Sequence, residues 1–427
     1  MKNMFIPRLL TAVLRSLAEA PIGRGLIVTG ARQTGKTTLL QREFVPPYEY
    51  QSFDEVLTRE SLARRPAADW MRRGADYVFD EVQKAPDFLG TVKSILDDGR
   101  SAQRVILSGS AQIQLLTAVR ESLAGRVVTC ELFPLTAAEI AGVARPLVLD
   151  LLASRTREDV RTLVEEAAFL GPEATAPARA SLEHITAFGG MPRIMQLETP
   201  EHRWIWLGEY CQTYLQRDLA DLGRVSDLDD FVRLERIAAQ RTATSLNYSD
   251  LARDADLSPV TAKKYLRYLD LSYQTFLLDA FRGRSGGRLL KAPRLHWVDL
   301  GVQRTLSRLR EGLTGPQFET LIVGEIHKLV KTLRLDVELS YLRTKDGREV
   351  DLLTRLPNGS YLAWEAKASQ RAHSMDARHL RALSDHLDGP LLAGFVVHCG
   401  HDVEAWDGEL YAIPASALFT GRSARSG

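Results

Sequence analysis

The stretch GARQTGKT, Gly30 to Thr37, matches the spacing G-x-x-x-x-G-K-[ST]. Glycines at those positions let backbone N–H groups turn inward around a phosphate. The helix that follows adds its positive end. Lys36 has the reach for the β- and γ-phosphates, and the Thr37 hydroxyl suits Mg²⁺. Gly30, Gln33, Thr34, Gly35, Lys36, Thr37 and Thr38 are therefore the expected contacts to ATP. Tyr77-Val78-Phe79 is an apolar run ending in Asp80 and Glu81. An acid at the end of a strand beside such a loop can hold Mg²⁺, and the next acid can polarise an attacking water. Asp80 takes the first role and Glu81 the second. VILSGSAQ then offers Ser108 or Ser110 beside the γ-phosphate. Arg126, in ESLAGRVV, is placed to sense the phosphate of its own subunit or of a neighbour.

A second set of residues lies far downstream. REVDLLTR and SYLAWEAKA both alternate, and Pro-Asn-Gly separates them, so the two runs should pair as antiparallel strands. Folding about that turn brings Asp351 opposite Glu365. Glu365 and Lys367, two apart, share a face. Two carboxylates and an ammonium can thus converge on one site. Carboxylate oxygens at Asp351 and Glu365 suit Mg²⁺ or Mn²⁺, which would activate a water that Lys367 orients. Upstream, GPQFETLIVGEIHKLVKTL reads as an amphipathic helix with Phe318, Leu321, Ile322 and Leu329 inward. Glu319, near its start, is the expected fourth member, with Glu325 as a substitute.

The elements that must position these groups are legible in outline. GLIVT, DYVF and RVILS are short apolar, β-branched runs separated by helical segments. That pattern implies a parallel sheet covered on both faces. Residues 147 to 235 read as helical. YSDLARDADLSPVTAKKYLRYL then reads as two short helices joined by a tight turn, with Ser249 and Ser258-Pro259 as starts. Val260, Leu266 and Leu269 should face the core, leaving Lys263, Lys264 and Arg267 for a nucleic-acid backbone. Beyond it, a Gly-rich tip carries Arg282, Arg284, Arg288, Lys291 and Arg294 without an acid among them. This suits a basic wing beside a helix-turn-helix. Asp299, in KAPRLHWVDLG, is expected to order a turn.

The bulk properties set limits. A chain of 427 residues should hold two to four domains. A net charge of +1 excludes a global polyanion-binding character, so any nucleic-acid surface must be local. Cys130, Cys211 and Cys399 are widely spaced. They form no zinc or disulfide pattern, which fits a reducing cytoplasm. No apolar run approaches the roughly 18 residues of a membrane span. The N-terminal MKNMFIPRLLTAVLRSLAEA reads as an amphipathic helix, not a signal peptide.

Taken together, GARQTGKT, FDEVQKAPDF, LSGSAQ, ESLAGR and ELFPLTAAEI resemble an AAA-type P-loop ATPase. The kind is the bacterial and archaeal one whose C-terminal half was catalogued as a domain of unknown function. GGMPRIM and YLQRDLADL resemble that family's helical middle. The helical glutamate followed by D…E-x-K resembles the restriction-endonuclease-like fold. On that resemblance Glu319, Asp351, Glu365 and Lys367 take its catalytic positions.

The expected architecture is α/β and multidomain. It comprises an ATPase domain (1–146), a helical lid or linker (147–235), a winged helix (236–303) and a restriction-endonuclease-like domain (304–427). The expected function is Mg-ATP binding and hydrolysis coupled to a metal-dependent nuclease acting on DNA, with RNA left open. Two alternatives stand beside it: an ATP-switched DNA-binding or remodelling protein that does not cleave, and a regulatory ATPase that binds a protein partner. Self-assembly into a homo-oligomer is implied by the resemblance alone.

Overall fold

The computed structural model describes residues 5–99, 102–109, 122–215, 228–283, 292–344, 347–381, 383–407 and 409–421. Ser110, Arg284, Arg288 and Lys291, and most of YLQRDLADL, lie outside the described residues.

The N-terminal sheet has five strands. They are β1 (Gly25–Thr29), β2 (Glu49–Ser52), β3 (Tyr77–Asp80), β4 (Val105–Ser108) and β5 (Val127–Glu131), in the order β2-β3-β4-β1-β5. Every pairing is parallel, with Val28 opposite Ser108 and Phe79 opposite Leu107. The central strands β1, β3 and β4 are wholly buried, which is why they read as continuous apolar runs. Helix α1 (Leu10–Glu19) buries Leu10, Leu14 and Ala18 against one face of this sheet, together with Leu39 and Leu40 of α2 (Lys36–Phe44). The other face is an aromatic core of Phe53, Trp70, Tyr77, Phe79 and Phe88. β4 lies between β1 and β3, so the carboxyl ends of all three strands meet at one edge.

Residues 147–188 do not form a separate lid. The helices Leu147–Leu152, Arg157–Ala168 and α3 (Pro172–Phe188) share one core with the C-terminal sheet. Leu147 N–H donates to Thr420 O (2.9 Å), and Arg161 pairs with Glu409. A boundary at 146/147 therefore divides the polypeptide but not the packing.

The middle module has its own core. It runs α4 (Leu228–Gln240), β6 (Thr244–Ser245), α5 (Tyr248–Asp254), α6 (Pro259–Leu271), β7 (Thr275–Leu278) and β8 (Arg294–Trp297). Its three strands pair antiparallel in the order β6-β8-β7. α4 crosses residues 235 and 236, so the expected boundary there falls inside a helix. Ser258 caps α6, accepting from Thr261 N–H (3.1 Å), but α5 is capped by Asn247 and not by Ser249. Val260 is 79% exposed, against expectation. The buried stripe is Ala262, Tyr265, Leu266 and Leu269, an i, i+3, i+4, i+7 set. Val260 is two residues out of phase with it.

The C-terminal sheet is mixed. β9 (Glu338–Arg343), β10 (Glu349–Arg355), β11 (Tyr361–Lys367), β12 (Leu391–His398), β13 (Glu404–Trp406) and β14 (Leu410–Pro414) lie in the order β13-β14-β12-β11-β10-β9. β10 and β11 form the antiparallel pair about Pro-Asn-Gly, with Leu352 opposite Trp364. Gly359 adopts φ +81° there, a region that favours glycine. Phe318, Leu321, Ile322 and Leu329 of the helix Gly315–Thr332 are buried in the core that includes Trp364 and Phe395. Among the described residues no helix is long and apolar enough to cross a membrane.

Candidate functional site

The loop between β1 and α2 is built by backbone conformations that few residues tolerate. Gly30, Gln33 and Gly35 have φ of +151°, +64° and +92°. A Cβ on Gly30 would lie 2.1 Å from Leu132 O, so only glycine fits. Thr34 Oγ1 closes the loop on Ala31 O (2.9 Å). Lys36 Nζ donates to Gly30 O (3.0 Å) and Ala31 O (2.8 Å), placing the ammonium inside the loop where phosphate oxygens would enter.

Asp80 is the hub. Its Oδ2 accepts from Thr37 Oγ1 (2.7 Å) and from Tyr50 O–H (2.7 Å), and its Oδ1 accepts from Ser108 Oγ. The parallel register explains the convergence, since Ser52 pairs with Asp80 and Val28 with Ser108. Burial, then the hydrogen bond to Asp80, pushes the Tyr50 hydroxyl above its ordinary range, so it stays a donor. Glu81 follows with φ +58°, a left-handed conformation uncommon outside glycine. Gln83 Nε2 steadies it by donating to Glu81 Oε2 (2.5 Å).

A cavity of about 460 Å³ connects these groups. Gln33, Gly35, Lys36, Thr37, Thr38, Tyr50, Asp80 and Glu81 line it, with Pro192, Arg193 and Gln196 from GGMPRIM. A smaller cavity of about 140 Å³ adjoins it between Phe5, Ile6, Thr38, Arg42 and Pro192. The residues present fit a magnesium nucleotide. Thr37 and Asp80 could hold Mg²⁺, Lys36 and the loop amides could bind the phosphates, and the smaller recess could take a base. When bound, Mg²⁺ would neutralise charge on the β- and γ-phosphates.

Arg8 supports the loop from behind. It is buried and donates to Thr34 O (2.8 Å), Phe133 O (2.6 Å) and Glu139 Oε1 (3.1 Å). Tyr50, Arg8, Pro192 and Arg193 were not singled out by sequence. No local motif marks Tyr50 or Arg8, and the resemblance of GGMPRIM does not say that its Pro192 and Arg193 face the loop.

Two of the expected phosphate sensors fare differently. Ser108 touches Asp80. Arg126 precedes β5, and Val127 pairs with Gly25, so Arg126 sits at the strand-start edge, away from the loop. It ion-pairs there with Asp97 (Nη2 to Oδ2, 3.0 Å). The own-subunit reading of Arg126 is therefore corrected.

The C-terminal acids also converge, but around a different cation. Asp351 is 8% and Glu365 6% exposed. Asp351 Oδ2 accepts from Ala366 N–H (2.9 Å), and Lys367 Nζ donates to Glu365 Oε1 (2.7 Å). Arg294, on β8 of the middle module, is 1% exposed. Its guanidinium pairs with Glu319 and Glu349 and reaches Asp351 Oδ1 (3.3 Å). Burial, then Asp351, pushes Glu319 well above the usual carboxylate range, against the pull of Arg294. Burial and Asp351 likewise raise Glu365 to about 7, with Lys367 opposing.

Among the described residues no three His, Cys, Asp or Glu side chains cluster so as to hold a metal ion. Asp351 and Glu365 as arranged do not fit the expected Mg²⁺ or Mn²⁺, because a guanidinium already compensates the acids. Glu325 lies elsewhere. It accepts from Ala137 N–H (2.6 Å) and from Lys328, tying the C-terminal domain to the helix Ala137–Ile140.

Lys263, Lys264 and Arg267 are exposed on α6. Asp299 caps the helix Leu300–Ser307 through Val302 N–H (3.0 Å) and also accepts from Gly190 N–H (2.7 Å). Gly190 O in turn accepts from Leu135 N–H (2.7 Å). One chain of hydrogen bonds thus links the middle module, GGMPRIM and the P-loop domain. A further cavity of about 990 Å³ opens between β5, β7 and β9, and neither the phosphate loop nor Glu319, Asp351 and Glu365 line it.

Residues 23–141 match a family described as an AAA domain. Residues 179–312 and 314–418 match two domains of unknown function, DUF8612 and DUF4143. Uncharacterized proteins of Mycobacterium tuberculosis and Mycobacterium bovis are each 24% identical over 419 residues, covering 95% of this chain and 82% of theirs. A Walker-type ATPase of Pyrococcus abyssi aligns with 71% of this chain and 97% of its own, at 15% identity and a TM-score of 0.44. A signal-transduction ATPase with a tetratricopeptide-repeat sensor, from Pyrococcus horikoshii, aligns with 77% of this chain and 46% of its own, at 13% identity and a TM-score of 0.27. The arrangement of Lys36, Thr37 and Asp80 in residues 23–141 is the one expected of the P-loop in the AAA domain family that those residues match.

Proposed function

We propose that this chain binds and hydrolyses Mg-ATP and passes its nucleotide state to the middle module and the C-terminal domain. The observation that carries the reading is Asp80. It gathers Thr37, Tyr50 and Ser108 at the mouth of the phosphate loop, with Glu81 next to it. Lys36 binds the β- and γ-phosphates, Thr37 and Asp80 hold Mg²⁺, and Glu81 orients the attacking water. Pro192 and Arg193 line the same cavity, two and three residues beyond the Gly190–Asp299 link, so closure on nucleotide pulls on the middle module. A homo-oligomer in which Arg126 meets a neighbour's nucleotide fits the position of Arg126 at the sheet edge. The test is equilibrium binding of a fluorescent ATP analogue together with phosphate release. Wild type should bind and turn over, and Lys36→Ala should lose both. Equal binding by Lys36→Ala would refute the site.

A second reading concerns the partner. The helix–strand–helix–helix–strand–strand order of the middle module supports a winged helix that presents Lys263, Lys264 and Arg267 to DNA or RNA. The Asp351, Glu365 and Lys367 constellation supports a restriction-endonuclease-like domain. One observation favours a site there over a purely structural ion cluster: Glu365 Oε2 is buried and without a partner. Cleavage of single-stranded, duplex and branched DNA with Mg²⁺ or Mn²⁺, lost in Asp351→Ala, would establish a nuclease. DNA binding that survives Asp351→Ala but weakens in Lys263→Ala/Lys264→Ala would favour a non-cleaving binder. No binding at moderate salt, with nucleotide-dependent capture of a protein, would favour a regulatory ATPase. Each lost phosphate contact should lower the salt slope of DNA affinity by about 0.9.

A further inference from the structure

The carboxylates of the C-terminal site and the cation that neutralises them come from different parts of the fold. Glu319 stands on the helix Gly315–Thr332, and Glu349 and Asp351 stand on β10. Arg294 enters from β8 of the middle module. Its Nη1 serves Glu319 and Asp351, its Nη2 serves Glu349, and its guanidinium lies 4.5 Å over the Tyr341 ring. The planar fork of an arginine suits this bridging, which a lysine ammonium would not reproduce.

The acids have little left to offer another cation. Asp351 Oδ1 faces Arg294 and Oδ2 accepts from Ala366 N–H, while Glu365 Oε1 accepts from Lys367. A Mg²⁺-like ion needs close to six oxygens at about 2.1 Å, several of them water. Here it would meet Glu365 Oε2 and, beside it, a buried positive charge.

We propose that Arg294 is the resident cation of this site and excludes divalent metal from it, so that metal enters only when Arg294 leaves. The middle module supplies Arg294, so its position decides whether the acids are closed or open. That module is tied through Asp299 to Gly190 and so to the segment lining the nucleotide cavity. The opening of the acid site is therefore linked to the ATPase domain by contacts already in place. This rests on the second reading above only in treating the acids as a site. It does not require that the site cut a strand.

The test uses full-length, nucleotide-free protein and Mn²⁺ alone, read by electron paramagnetic resonance and by thermal midpoint. Wild type should show no Mn²⁺ uptake that Asp351→Asn removes. Arg294→Met should take up one additional Mn²⁺, at least tenfold tighter than wild type. Its midpoint should rise with Mn²⁺ while that of wild type stays put, and the double variant Arg294→Met/Asp351→Asn should lose both effects. Asp351-dependent uptake by wild type overturns the proposal, even where Arg294→Met does not fold. A folded Arg294→Met with no added uptake overturns it as well. Metal uptake by Arg294→Met without cleavage of any DNA sustains this inference and refutes the nuclease reading.

Discussion

Removing the counter-charge of Arg8 is the sharpest test of how the phosphate loop is held. The side chains of Arg8 and Glu139 are 6% and 2% exposed and pair at 3.1 Å. Arg8 also donates to Thr34 O inside the loop, and Glu139 accepts from Leu9 N–H (2.8 Å) and Thr136 N–H (3.0 Å). Glu139→Ala leaves a guanidinium buried without its partner, a change that costs about 3–5 kcal/mol. The two amides that lose an acceptor would each cost about 1–3 kcal/mol alone. They share the same cavity, so the effects do not add, and the net loss should stay near about 4 kcal/mol. A typical domain has only about 5–15 kcal/mol in hand. The N-terminal domain should therefore unfold at markedly lower urea, followed by the fluorescence of buried Trp70. The paired change Arg8→Met/Glu139→Leu removes both charges and should recover more than half of the loss. Its nucleotide affinity should stay weak, because Thr34 O has lost its donor. A Glu139→Ala cost below about 1 kcal/mol would show that the pair is not buried in the sense described. So would a paired variant no better than the single one.

Two further outcomes follow from the same structure. Gly30→Ala places a Cβ against Leu132 O at a φ of +151° and should abolish ATP-analogue binding while the far-ultraviolet circular dichroism stays near wild type; unchanged binding would refute the loop geometry. Glu235 is fully buried in the middle module, and burial raises its carboxyl from 4.5 to about 8. Below pH 4.5 the folded and unfolded forms both hold the proton. Between 4.5 and 8 only the folded form does, so stability falls as pH rises, by up to about 5 kcal/mol, and levels off above 8. Glu235→Gln should flatten that decline in urea titrations, and a slope unchanged by the substitution would refute the assignment.

What the sequence revealed and what it hid divide along physical lines. GARQTGKT, the YVFDE strand end and the Pro-Asn-Gly hairpin are local, so glycine placement, alternation and turn chemistry carry them. The parallel register then brings Asp80 and Ser108 to the loop without further instruction. Tyr50 and Arg8 sit in segments with no motif of their own, and Pro192 sits in GGMPRIM, whose resemblance does not tell that it lines the nucleotide cavity. Arg294 reads from sequence as one of five basic residues on a solvated wing. Only its ion pairs with Glu319, Glu349 and Asp351 and its place over the Tyr341 ring show that it turns inward, against the acids where a metal was expected. The same limit explains residues 147–188, whose helices read as a linker because the sheet they cover lies two hundred residues away. Val260 was assigned to the core by type, and the phase of α6 overrules it.

The central claim is that this AAA-type domain hydrolyses ATP with Glu81 positioning the water. Single-turnover phosphate release by wild type and Glu81→Gln, each saturated with Mg-ATP, addresses it directly. The account predicts full ATP binding in both and a release rate at least a hundredfold lower in Glu81→Gln, the size general-base removal commonly has. Phosphate release by Glu81→Gln at the wild-type rate would contradict it.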